Sequence, residues 1–205
     1  MQNWRRGHIE RGTSDSDPNR FFVSSLEGEW MVNLNFFDGE LDKFNLCAGI
    51  SDSYKCRNPD IENKDENVLV ITASHEGELL GVVAYLICNK KDMLETFSEY
   101  LSGVKFFGCK KIMYEYNADG FIHYLKSKGE QDRLIHIEDN YLPGCKLTKK
   151  MREEVKSIWM KALSEIEIPG EIVIKSLLDG QSSLFDGFIL STIGHHFAYN
   201  ESVLS

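Results

Sequence analysis

Apolar and polar positions follow two different periods along this chain, and the change of period divides it. Met31, Leu34 and Phe36 stand among Asn33, Asn35 and Asp38, and "FFDGEL" places an Asp-Gly turn signal before a second run of the same kind. This pattern predicts a hairpin with strands near 29–37 and 40–46. The stretch "SDSYKCRNPDIENKDEN" is polar, carries a Pro and reads as a surface loop. "VLVITAS", "HEGE" and "LLGVVAYLIC" then predict a second hairpin of almost continuous apolar strands, as expected for the buried middle of a sheet.

Beyond Asn89 the spacing becomes helical. Met93, Leu94, Phe97, Tyr100 and Leu101 share one helical face, "KKIMYEY" follows as a strand, and "NADGFIHYLKSKG" reads as a helix ended by Gly129. "RLIHIE" is the next strand, and a helix from about Leu147 to Ser164 places Leu147, Met151, Val155, Ile158 and Trp159 on one side. "EIVIKSL" reads as a strand, "SSLFDGFILSTIG" as a helix stopped by Gly194, and "HHFAYN" as a last strand. Residues 92–138 and 150–199 thus both read helix, strand, helix closed by Gly, strand, without shared residue identity. An antiparallel first half with an alternating second half predicts an α/β fold: one mixed, centrally antiparallel sheet with helices on both faces. The polar residues 1–20 read as a flexible arm, and 21–205 as a single domain.

Composition narrows the function classes. With 42% hydrophobic residues a sizeable core is available, and a formal net charge of -9 argues against coating a nucleic-acid backbone. Such a surface suits a cationic partner or a substrate amine. No apolar run approaches the roughly 18 residues of a membrane span, and the polar start lacks the apolar core of a secretory signal. Five cysteines, widely spaced and odd in number, read as reduced thiols in a cytoplasm.

The junction "LIHIEDNYLPGCKLTKKMREEVKSIW" carries the candidate chemistry. The first N–H groups of a helix lack intrahelical partners, so the turn at Leu142, Gly144, Cys145, Lys146, Leu147 and Thr148 could hold a phosphate-bearing cofactor, with Lys146 or Lys149 adding charge. The plainer reading is a helix start capped by Thr148 with solvated lysines. Cys145 could be a nucleophile at that terminus or a buried, incidental thiol. His195 and His196, adjacent on an expected strand, point to opposite faces and cannot readily share a metal, so no metal site is assigned.

The order of elements over roughly 66–199 resembles the GNAT superfamily of acyl-CoA-dependent N-acyltransferases. "VLVITASHEGELLGVVAYLI" is similar to that family's central hairpin, the junction above to its next strand and cofactor-binding helix, and "EIVIKS" through "HHFAY" to its closing strand-helix-strand. The family's loop reads Q/R-x-x-G-x-G/A, whereas "LPGCKLT" offers Gly144 alone, and Leu190 stands where a Tyr is common. The resemblance implies acyl-CoA, most simply acetyl-CoA, as co-substrate and a small-molecule or protein amine as acceptor. A base for the amine would come from Glu138, with Glu115 the alternative and His136 sharing Glu138's face of the strand. The rival reading is a non-catalytic protein-binding module, an inhibitor or effector acting through its acidic surface on the same fold.

Overall fold

The apolar hairpin forms as its pattern predicts and becomes the centre of the sheet. β5 (Asn67–His75) and β6 (Glu78–Cys88) pair antiparallel through a two-residue turn, Glu76–Gly77, in which both residues have positive φ. In this computed structural model the residues described are 4–11, 20–37, 41–51, 67–88, 92–115, 120–137, 143–165 and 183–199. Around the hairpin stand β1 (Trp4–Arg11), β2 (Arg20–Ser24), β3 (Trp30–Asn33), β4 (Asn45–Ser51) and β7 (Lys111–Tyr114). The sheet order is β2-β1-β3-β6-β5-β4-β7. Its pairings are antiparallel apart from β4 with β7, so the protein is mixed α/β with a mostly antiparallel sheet.

Helices cover both faces. They are the single turn α1 (Leu34–Phe37), α2 (Met93–Phe106), α3 (Gly120–Ser127), α4 (Lys149–Glu165) and α5 (Ser183–Tyr199). Side chains of a strand alternate between faces, and β5 divides accordingly. Leu69, Ile71 and Ala73 join a core with Phe97, Tyr100, Leu101 and Val104 of α2 and Phe121 and Leu125 of α3. Val68 and Val70 join the opposite core with Val155 of α4 and Phe188, Ile189 and Ile193 of α5.

Several sequence expectations are corrected. The first expected hairpin does not exist: β3 pairs with β1 and β6, and β4 with β5 and β7. Strand β3 stops at buried Asn33, whose Oδ1 accepts from the Asn35 N–H at 3.1 Å while its Nδ2 donates to the Val82 carbonyl at 3.1 Å. That local hydrogen bond turns the chain into α1. Residues 4–11, assigned from the sequence to a flexible arm, are β1. Their polar pattern concealed a strand that is held by backbone pairing on β2 and β3 more than by burial. Among its described residues, "RLIHIE" yields only an isolated parallel bridge between Leu134 and Ile112. The expected strand "EIVIKSL" lies outside the described residues.

The largest correction concerns the C-terminus. Gly194 does not stop a helix, and "HHFAYN" does not start a strand: α5 runs continuously from Ser183 to Tyr199. Nearly every position of α5 from Leu184 to His195 is buried, so it has no polar stripe to reveal a helical period. Its glycines serve close contact with the sheet. A Cβ on Gly194 would lie 2.3 Å from Cys47 Sγ, and one on Gly49 of β4 would lie 2.0 Å from the Gly187 carbonyl oxygen. Backbone therefore packs on backbone there. We expect Gly49→Ala to destabilise the protein by about 2–3 kcal/mol, the usual cost of overpacking. A lowered urea midpoint with an unchanged slope would register this, and an unchanged midpoint would refute the contact.

Candidate functional site

The structure brings two of the expected site elements together and separates others. β4 and β7 run parallel, and at their carboxyl ends Ser51 Oγ donates to Glu115 Oε2. Glu115 forms an isolated parallel bridge with Cys145, which places the 143–148 turn beside β7. Glu138 and Leu142 lie outside the described residues. His136 is exposed, on irregular chain two residues past the Leu134 bridge.

Two of the turn's donors are engaged by the protein itself. The Gly144 N–H donates to the Ile135 carbonyl at 3.0 Å, and the Cys145 N–H to the Tyr114 carbonyl at 2.9 Å. Gly144 has φ +107°, and a Cβ there would lie 2.5 Å from the Tyr114 oxygen. Glycine is thus required for the turn to approach β7, and a cofactor's pyrophosphate does not fit against these two amides. Buried Leu147 packs into the α5-side core. Exposed Thr148 caps α4, its Oγ1 accepting from the Met151 N–H at 3.2 Å, and Lys146 is exposed. Lys149 and Lys150 lie 3.8 and 3.6 Å from Glu153 and Glu154, one helical turn on. Arg152 Nε and Nη2 donate to Asp186 at 2.7 and 3.0 Å, tying α4 to the first turn of α5.

Cys145 is buried. Burial, with the nearby Glu115 charge adding to it, pushes its thiol up to about 11. Burial also pushes the Cys109 thiol up to about 12.

A second polar group sits under α5. His195 is fully buried, with Nε2 2.9 Å from Thr72 Oγ1 and Nδ1 3.0 Å from Ser74 Oγ. Thr72 Oγ1 lies 2.6 Å from Ser191 Oγ, which donates to the Cys47 carbonyl at 2.6 Å. A carbonyl can only accept, so the Ser191 proton is committed to Cys47. Thr72 must then donate to Ser191, and His195 Nε2–H must donate to Thr72. Ser191 is therefore not activated by His195, and the chain of hydrogen bonds serves to fasten α5 onto β4 and β5. The sequence reading missed this group because it placed His195 on a strand.

A third feature was also missed. A cavity of about 330 Å³ opens where His8 and Ile9 of β1 meet Glu27, Glu29 and Trp30, with Glu99 of α2 as a wall. The Trp30 indole N–H donates to Glu99 Oε1 at 2.8 Å. "LEGEW" carries half of this site in one short stretch, yet its meeting with α2 is a long-range contact invisible in sequence. No group of three or more His, Cys, Asp or Glu residues placed to hold a metal occurs among the described residues.

Compared with known proteins, the chain matches no protein-family model and no curated protein.

The thiols set a pH dependence. Both are raised in the folded state, so between about 9 and the folded values the folded chain keeps protons that the unfolded chain has lost. Their stabilisation is complete below pH 9 and is lost as pH rises towards 11–12. We expect the melting temperature to fall across that window and Cys145→Ala to flatten part of the fall. An identical profile for that variant would contradict the assignment.

Proposed function

We propose that this chain is a non-catalytic protein-binding module, an acidic relative in architecture of the acyltransferase-like α/β proteins, acting in a reducing cytoplasm. The observation that carries the reading is the cavity beside Glu27, Glu29 and Glu99, which stands at a break in strand pairing. β3 pairs with β1 only over Trp4–Gly7, whereas β2 pairs with it over Gly7–Arg11. His8–Arg11 therefore have a strand on one side and, among the described residues, none on the other. A recess lined by carboxylates beside an unpaired strand edge suits protein recognition. The buried cysteines Cys47, Cys88, Cys109 and Cys145, held as thiols, fit a reducing compartment. No helix among the described residues is long and apolar enough to cross a membrane.

The enzymatic reading retains one supporting observation, the nearness of Glu115 to the 143–148 turn. Against it stand the engaged amides of Gly144 and Cys145 and the hydrogen bond that Glu115 receives from Ser51. Acetyl-CoA and free CoA separate the two. A ligand present at about 100 times its Kd stabilises a folded protein by roughly 2.7 kcal/mol, which moves the melting temperature by several degrees. We expect no movement at about 1 mM of either compound. A clear rise with acetyl-CoA, with transfer of the acetyl group to an added amine, would overturn the binding-module reading.

A further inference from the structure

We draw no further inference here: the strongest candidate, the Ser51–Glu115 side-chain pair beside Cys145 at the carboxyl ends of β4 and β7, belongs to the candidate site already described, and nothing else among the described residues points to a ligand there.

Discussion

The packing of α5 against β4 is the contact on which the rest of the described structure depends. Gly49 lets two backbones meet where any side chain of its own would collide with the Gly187 carbonyl. Around that contact Ser191, Thr72, His195 and Ser74 form a chain of hydrogen bonds ending on the Cys47 carbonyl. Buried polar groups cost free energy unless they are paired, so this chain fixes one position of the helix along the sheet as well as one distance. From there the order propagates. Docked α5 presents Asp186 to Arg152, Arg152 holds α4, and α4 fixes the turn whose amides close onto Tyr114 and Ile135.

This order of dependence engages some of the groups that look chemical in the sequence in the fold's own hydrogen bonds. A helix N-terminus is a ready anion site only while its amides remain available. Here the turn preceding α4 pairs Cys145 with Tyr114 of β7 and Gly144 with Ile135, and Thr148 takes up a further donor at the helix start. The buried histidine is likewise committed by its neighbours. The recess lined by Glu27, Glu29 and Glu99 stands instead at the β1–β3 end of the sheet.

The parts of the fold set by local period were legible in sequence. The β5–β6 hairpin, α2, α3 and α4 follow from spacing and turn chemistry. The parts set by long-range pairing were not. β1 has too few apolar residues to signal a strand, and α5 has too many to show a period. Gly194 looked like a stop because close packing and helix termination both select glycine. Of the expected site, the nearness of Glu115 to the turn could not be read from residues thirty apart, and neither could the loss of the turn's amides to backbone carbonyls. The carboxylate recess was half visible in "LEGEW", but Glu99 joins it only through the docking of α2.

The central claim is that the Gly144 and Cys145 amides of the 143–148 turn are taken up by the protein's own backbone carbonyls. Amide hydrogen exchange at Gly144 and Cys145 measures this directly. The account predicts protection comparable to that of the Glu115 amide, which donates to the Ile50 carbonyl at 2.9 Å. Exchange as fast as that of an unstructured, solvated amide would contradict it and return the turn to the list of ligand-binding elements.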